Sequence, residues 1–305
     1  MNARATTRAN LLAAPIARYT TSSVTSHDGT AIGYRQLGSG PGLVVLHGAM
    51  ESSGSHQALA DALADTFTVY LPDRRGRGMS GPYPEHYGIW SDVEDMAALL
   101  TKTGARFVFG VSSGAIIWLH AALALGAIQR AAIFEPPLMI DGMTSRDLIR
   151  RYDDEIADGN VAAALVTGMK AARLGPPIFD LIPRRLLERL TQQMLKSDDK
   201  RARPGDVMVR MLAPTLHYDF ALVSESQGAL ESFKAIRADV LLLGGGKSPA
   251  FLRAGLDALD WVLPSAQRVE FPGLAHSASG NPDDPLTGRG ADPQRVALEL
   301  RRFFA

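Results

Sequence analysis

The segment Gly110-Val111-Ser112-Ser113-Gly114 puts two hydroxyl groups between two glycines. It lies between a short apolar run and a longer one, so the pattern predicts a buried strand, a tight turn and a buried helix. In that context a G-x-S-x-G spacing is typical of a turn that exposes a serine Oγ above a helix N-terminus, where the helix dipole favours negative charge. The glycines leave the space that such a strained turn needs. Ser112, at the centre, is therefore the candidate nucleophile.

A serine hydroxyl needs a nearby base to take its proton before it can attack a carbonyl carbon. Two histidines follow predicted strands and could be considered for this role. His47 ends the segment VVLH and precedes Gly48, where a strand should give way to a loop. His276 follows the predicted strand RVEF in the segment FPGLAHSAS. A lone loop histidine is more often a surface residue, so its position after a strand is what makes His276 a candidate.

Four segments together resemble the α/β-hydrolase superfamily, and the resemblance covers residues 22–305. The segments are GVSSG, VVLHGAM, LPDRRGRGMSG and FPGLAHSAS. The resemblance implies a mostly parallel β-sheet flanked by helices, with a catalytic Ser, acid and His in that chain order. It implies that His276 is the base and that His47 holds its loop. It also implies that the backbone N–H groups of Ala49 and Ser113 form an oxyanion hole.

The acid that orients the base needs a separate argument. Most of the superfamily has an Asp after the strand that follows the inserted segment, but here Ser248 stands at that position, in GGGKSP. Some members place the acid after the preceding core strand, which makes Glu135, in AAIFEPP, the first candidate. A buried carboxylate there needs a partner, although Glu135 could also serve only to anchor a hinge. Asp219, in LHYDF, is the second candidate and is predicted to lie on a helix.

Predicted strands and helices alternate along the chain, which indicates a parallel sheet with helices on both faces. The alternation stops between residues 138 and 213, where helical segments are separated by Gly and Pro. We therefore predict an α/β core of residues 22–137 and 214–305, with a helical lid of residues 138–213 inserted after the strand that ends near Glu135. Residues 1–21 are predicted to form an N-terminal arm, and a cleaved targeting peptide is the alternative.

The predicted lid follows the carboxyl end of a core strand, the edge at which open α/β sheets bind ligands. We therefore expect it to cover the active site and to supply most of the apolar wall. Its methionines could make that wall adaptable, with simple packing as the alternative for any one of them. They include Met139, Met143, Met169 and Met194.

The composition of the 305-residue chain excludes several classes of function. Lys and Arg number 32, as do Asp and Glu, so no net field would steer nucleic acid or an anionic membrane to the protein. The absence of cysteine excludes disulfides, thiolate metal sites and a cysteine nucleophile. The seven histidines show no metal-ligand spacing, and no apolar run is long enough to span a bilayer. The stretches LGSGPGL and LLLGGGKSP each lack a glycine that nucleotide-binding patterns require.

These observations predict a serine hydrolase that cleaves a carboxylic ester or lactone through an acyl-enzyme, without metal or cofactor. Haloalkane dehalogenases and epoxide hydrolases of the superfamily use an Asp nucleophile, so a Ser at this position favours acyl transfer. The alternatives are another carbonyl reaction (C–C hydrolysis, perhydrolysis, or a lyase or cyclase step) and a non-catalytic binder. The expected partner is a small apolar substrate with an ester or other carbonyl group. A homodimer is left open, and the expected location is the cytoplasm.

Overall fold

The computed structural model describes residues 19–140, 142, 145–173, 181–203, 205–263, 265–284, 288 and 290–305. Residues 1–18 of the predicted arm and Met143 lie outside the described residues. The strands are β1 (Thr20–Thr25), β2 (Ala31–Gly38), β3 (Gly42–Leu46), β4 (Thr68–Pro72), β5 (Phe107–Val111), β6 (Arg130–Phe134), β7 (Asp239–Gly245) and β8 (Gln267–Phe271). The α-helices are α1 (Gln57–Leu63), α2 (Ile89–Thr103), α3 (Ser113–Ala124), α4 (Arg146–Ala157), α5 (Val161–Ala171), α6 (Arg184–Arg201), α7 (Val209–Leu212), α8 (Leu216–Glu225), α9 (Ala250–Val262) and α10 (Pro293–Phe304).

The strands form a sheet in the order β1-β2-β4-β3-β5-β6-β7-β8. β2 pairs antiparallel with both β1 and β4, whereas every neighbouring pair from β4 to β8 is parallel. This mostly parallel sheet flanked by helices confirms the predicted fold class. The carboxyl ends of the parallel strands meet at one edge of the sheet, so short loops there can bring distant parts of the chain together.

The central strands contribute side chains to two hydrophobic cores, because successive side chains point to opposite faces of a sheet. In β3, Val44 and Leu46 pack into a core with α2, α3 and α9. Leu43 and Val45 pack into a second core with α1 and α10. Burial on both faces explains why these strands are continuous apolar runs in the sequence.

The helix α3 is buried along most of its length, from Ser113 to Ala122. The indole Nε1 of Trp118 donates a hydrogen bond of 3.1 Å to Phe109 O, which attaches α3 to β5. Close packing on all sides fixes the position of a helix. The turn at the N-terminus of α3 is therefore held in a defined place.

Two element boundaries differ from the sequence prediction. The predicted arm extends to residue 21, but β1 begins at Thr20. Its polar, exposed TTSSVT sequence has no apolar pattern, and pairing with β2 orders it. The spacing of Ser91 and Glu94 in SDVEDMAALL predicts Ser91 as the cap of α2, but the helix begins at Ile89. Glu225 of α8 accepts a hydrogen bond of 2.8 Å from the Ile89 N–H, so a residue distant in sequence caps this helix.

The chain between β6 and β7 is helical in its described part, which agrees with the break in the sequence pattern. Tyr152 of α4 is fully buried and packs edge to face on Phe220 of α8, with ring centroids 5.8 Å apart. Ala164 and Ala171 of α5 and Leu216 of α8 complete a small separate core. The inserted helices therefore pack onto α8.

Candidate active site

The carboxyl ends of the parallel strands carry the residues that the sequence analysis selected. Ser112 directly follows β5, Glu135 directly follows β6, and Gly48–Ala49 follows β3. His276 lies in the loop after β8. The topology therefore gathers side chains from four separate parts of the chain. A cavity at this edge is lined, among others, by Ala49, Ser112, Ser113, Asp219 and His276.

The turn at Ser112 has a strained geometry. Its φ of 55° and ψ of −124° lie outside the regions that residues other than glycine normally occupy. A Cβ added at Gly110 would lie 2.5 Å from Trp118 Cδ1, and one added at Gly114 would lie 2.5 Å from His47 O. Both glycines of the G-x-S-x-G pattern are therefore required by the close approach of α3 to the sheet.

Glu135 and His276 form a carboxylate–imidazole pair. Glu135 is fully buried, and its Oε2 lies 2.7 Å from His276 Nδ1. Its other oxygen, Oε1, accepts a hydrogen bond of 2.6 Å from the N–H of Gly245 in β7. A carboxylate held at both oxygens fixes the orientation of the imidazole. The Nε2 atom of His276 is then the ring nitrogen that can take a proton.

The other two positions considered for the acid have different environments. The carboxylate oxygens of Asp219 lie 2.7 Å from Arg74 Nη1 and 2.5 Å from Arg77 Nη2. Ser248 is buried, and its Oγ has no hydrogen-bond partner within the described part of the chain. Glu135 is thus the one of the three that the structure places against His276.

His47 holds the loop that follows β3. Its Nδ1 lies 3.0 Å from Gly48 O, and its Nε2 accepts a hydrogen bond of 3.2 Å from the backbone N–H of Arg74. Burial, together with the charges of Arg77 and Arg74, lowers the pKa of His47 well below its ordinary value. One ring nitrogen donates and the other accepts, as in neutral imidazole. This environment fits the loop-holding role that the family resemblance implies.

A second buried acid–histidine pair lies beside the same loop, and the sequence analysis did not identify it. Glu51 Oε2 accepts a hydrogen bond of 2.6 Å from the Gly48 N–H and lies 3.2 Å from His56 Nε2. His56 Nδ1 lies 3.0 Å from Ser279 O, in the segment that follows His276. The pair therefore links the loop after β3 to the loop that carries His276. No local sequence pattern indicates a link between such distant segments.

The cavity beside Ser112 is narrow and mostly apolar. Its volume is about 50 Å³, which is room for roughly three to five water molecules. Asp219 and His276 are the ionisable residues of its described lining. The remaining lining residues are Pro137, Met139, Ala171, Ala172, Leu216, Phe220, Val223, Phe251 and Leu252.

The prediction that residues 138–213 supply most of the apolar wall is wrong for the described residues. That segment contributes Met139 and the two alanines at the end of α5. The larger apolar side chains belong to α8 and α9, which follow the segment in the chain. Met169 and Met194 are not part of the described lining. The physical reason is that α5 meets the cavity with small side chains, so the bulk has to come from the helices behind it.

The arrangement supplies the groups needed for acyl transfer. A serine hydroxyl at a strained turn shares a cavity with an imidazole that is paired with a buried carboxylate. Ser113 is the first residue of α3, so its N–H has no acceptor within the helix and can bind an anion. Over the described ranges, no group of three or more His, Asp or Glu is placed to hold a metal ion. The helices described there include none that is both long enough and apolar enough to cross a membrane.

Comparison with known proteins also indicates a hydrolase. Residues 43–287 match the model of an alpha/beta hydrolase family. An alpha/beta hydrolase of known structure from Sphaerobacter thermophilus DSM 20745 is 32% identical, with a TM-score of 0.74 and coverage of 93% of this chain and 100% of that chain. A thermophilic esterase from Thermogutta terrifontis is 16% identical and shares the fold, with a TM-score of 0.66 and coverage of 93% and 98%. The uncharacterized hydrolase YraK of Bacillus subtilis is 36% identical over 95 residues, which span 30% of this chain and only 35% of that relative.

Proposed function

Because the chain belongs to the alpha/beta hydrolase family, we propose that it is a serine hydrolase that cleaves a carboxylic ester or lactone through an acyl-enzyme. The main support is the placement of Ser112, at a strained turn, in the same cavity as His276. The 2.7 Å contact between His276 Nδ1 and Glu135 Oε2 supports Glu135 as the third member of a Ser–His–acid triad. Ser112 is the nucleophile, His276 the base and Glu135 the acid of the triad.

In the first step, His276 Nε2 takes the proton of Ser112 Oγ as that oxygen attacks the carbonyl carbon. The negative charge that develops on the carbonyl oxygen is stabilised by the backbone N–H groups of Ala49 and Ser113 and by the dipole of α3. His276 then gives its proton to the leaving alcohol oxygen as the C–O bond breaks, which leaves an ester on Ser112. A water molecule, deprotonated by His276, hydrolyses this ester and releases the carboxylic acid. Glu135 stabilises the imidazolium in both steps.

The lining of the cavity favours a short, uncharged acyl group. A volume of about 50 Å³ leaves room for only a few non-hydrogen atoms beside the nucleophile. Its wall is built from apolar side chains of α8, α9 and the end of α5. The described lining contains no arginine or lysine that would pair with a charged acyl group. The helical segment 138–213 is proposed to act as a lid above this cavity.

The test is turnover of p-nitrophenyl esters from acetate to octanoate and of small lactones, with wild type, Ser112→Ala and Ser91→Ala. Loss of a triad nucleophile lowers kcat by about a millionfold in a worked protease case, so we expect Ser112→Ala to be inactive at an unchanged Tm. Ser91→Ala, a serine in α2, is the matched control and should keep wild-type activity. If Ser112→Ala retains more than a small fraction of the rate, Ser112 is not the nucleophile.

Labelling by a fluorophosphonate separates this function from its rivals. Wild type should be both labelled and active on at least one ester or lactone. Labelling of Ser112 without any turnover would indicate a different carbonyl reaction on the same scaffold. Neither labelling nor turnover would indicate a binding protein, and either of these results would reject the proposed function.

A further inference from the structure

A buried carboxylate outside the triad contacts both sides of the proposed oxyanion hole. Asp219 of α8 is 3% exposed and lies in the lining of the active-site cavity. One of its oxygens contacts the residue after the nucleophile, Ser113. The other contacts Arg77, which binds the loop that contains Ala49. These two contacts belong to the two chain segments whose N–H groups would stabilise the oxyanion.

The contact to Ser113 is direct. Ser113 Oγ donates a hydrogen bond of 2.8 Å to Asp219 Oδ1 and accepts one of 3.1 Å from Arg74 Nη1. Arg74 Nη1 also lies 2.7 Å from Asp219 Oδ1, which closes a three-membered network. The side chain of Ser113 is therefore fixed, and with it the orientation of the first peptide unit of α3.

The contact to the opposite loop passes through Arg77. Asp219 Oδ2 accepts a hydrogen bond of 2.5 Å from Arg77 Nη2. Arg77 Nη1 then donates to two backbone oxygens of the loop, Gly48 O at 2.7 Å and Glu51 O at 3.3 Å. The Gly48 carbonyl belongs to the peptide unit whose N–H is that of Ala49. An ion pair with Asp219 therefore sets the position of that N–H.

The charges make this arrangement depend on Asp219. Burial alone would raise the pKa of Asp219, but the charges of Arg77 and Arg74 outweigh burial and hold it below its ordinary value. Arg74 has a second carboxylate partner, Asp92, at 3.3 Å. The carboxylate that pairs with Arg77 in the described part of the chain is that of Asp219. Without the Asp219 charge, the buried guanidinium groups of Arg74 and Arg77 would lose the carboxylate that they share. Loss of one partner of a buried ion pair is strongly unfavourable.

We infer that Asp219 is a positioning residue that holds the Ala49 and Ser113 N–H groups in register, so that the oxyanion hole exists before substrate binds. The inference rests on the proposed function, in which these N–H groups stabilise the oxyanion. Donors that are fixed in advance need no rearrangement as charge develops, which is the source of their catalytic effect. Asp219 acts through Ser113 and Arg77 and takes no proton from His276.

A second buried ion pair provides a matched control. Arg75 contacts Asp95 through two hydrogen bonds of 2.8 and 2.6 Å, and both residues are buried. Within the described residues, Arg75 also donates to Asp28 and to Ser91 O, which lie outside the candidate site. Asp95→Asn therefore removes a buried charge of the same kind without touching the oxyanion loop or Ser113.

The test compares Asp219→Asn with Asp95→Asn at equal folded fraction on the best p-nitrophenyl ester. Loss of one oxyanion donor lowers kcat by about 100- to 1,000-fold, so partial misplacement of both donors in Asp219→Asn should lower kcat by roughly 10- to 100-fold with KM little changed. Affinity for a trifluoromethyl ketone, which forms a tetrahedral adduct, should fall by a similar factor. The pH profile of kcat should be the same as in wild type. Asp95→Asn should change none of these.

Amide hydrogen exchange supplies a readout that does not need activity. In Asp219→Asn, exchange in peptides covering residues 47–51 and 111–115 should become faster than in both wild type and Asp95→Asn. If Asp219→Asn does not fold, Ser113→Ala, which removes one arm of the network, should show the same pattern with a smaller loss of kcat. Unchanged exchange, unchanged ketone affinity, or an equal effect of Asp95→Asn overturns the inference. Wild type that hydrolyses no ester and is not labelled rejects the proposed function instead, and the exchange result still decides the role of Asp219.

Discussion

Glu135 Oε2 and His276 Nδ1 lie 2.7 Å apart, although the two residues follow strands that are not neighbours in the sheet. β7 lies between β6 and β8, and the long Glu side chain spans that gap while its second oxygen binds Gly245 N–H at the end of β7. The φ of Glu135, 44°, turns its side chain out of the strand direction. An Asp at this position would be one methylene shorter and would have to cover the same distance.

The first prediction is that Glu135→Gln lowers kcat by about ten-thousand-fold, as loss of the charged partner of the base does in the protease precedent. The glutamine amide keeps the size of the side chain but cannot stabilise imidazolium. The measurement is kcat on the best ester at equal folded fraction. Glu94→Gln, on the exposed side of α2, is the control. A Glu135→Gln enzyme within tenfold of wild type would contradict this assignment of the acid.

The sequence allowed the local parts of the site to be predicted because each depends on neighbouring residues. The strained turn at Ser112 is visible in its two glycines, and the loop after β8 is visible in the FPGLAH segment around His276. The strand β1 was missed because its residues are polar and only its pairing with β2 defines it. The apolar strands themselves were predictable because burial on both faces requires an unbroken apolar run.

The links between the parts were not predictable from the sequence. Arg77 and Asp219 are 142 residues apart, and Ser113 and Asp219 are 106 residues apart. The basic, glycine-rich DRRGRG segment is typical of a turn in the sequence, yet its arginines are buried and ion-paired. Buried arginines are rare in general, so charge alone suggested a solvated surface. Only the three-dimensional packing of α2, α8 and the turn between β1 and β2 shows which carboxylates neutralise them.

The second prediction concerns Gly48, which has no room for a side chain. A Cβ there would lie 2.9 Å from Ser112 Cβ and 3.3 Å from Glu51 Oε2. Gly48→Ala should therefore push the loop after β3 away from the nucleophile, lowering kcat by roughly tenfold or more and stability by about 1–3 kcal/mol, as overpacking does. Urea unfolding and ester kinetics measure the two effects. Gly54→Ala, whose new Cβ would meet its nearest atom at 3.5 Å, should leave kcat unchanged; equal effects of the two substitutions would refute the prediction.

The third prediction tests whether the narrow cavity limits the acyl chain. Phe251 of α9 lies in the lining, and truncation to alanine removes a large side chain from the wall. Phe251→Ala should shift the preferred p-nitrophenyl ester from acetate or propionate toward hexanoate or octanoate, seen as a crossover in kcat/KM. Trp261→Ala, in the same helix but 83% exposed, should keep the wild-type profile. An unchanged chain-length profile in Phe251→Ala would show that Phe251 does not set the limit.

The fourth prediction concerns the buried Glu51–His56 pair and pH. Burial would lower the pKa of His56, but the charge of Glu51 outweighs it and raises the pKa above 6.5, with Asp284 contributing in the same direction. Burial would raise the pKa of Glu51, but His56 outweighs it and lowers the pKa below 4.5, with His276 contributing in the same direction. The raised pKa of His56 contributes stability that is present below pH 6.5. This stability is lost as the pH rises through the pKa that His56 has in the folded protein. The lowered pKa of Glu51 contributes stability that is present above pH 4.5. This stability is lost as the pH falls through the pKa that Glu51 has in the folded protein.

The Glu51–His56 pair should therefore contribute most to the free energy of unfolding between pH 4.5 and pH 6.5. We expect His56→Gln to lower the free energy of unfolding by about 3–5 kcal/mol in that window, the usual cost of removing one partner of a buried ion pair. The difference from wild type should shrink as pH rises above the window, because His56 loses its proton in the folded wild type. Urea unfolding of both proteins between about pH 5 and 9 measures this difference. His86→Gln, at an exposed position, should show no such trend; a His56→Gln difference that stays constant or grows with pH would show that His56 is not charged in the fold.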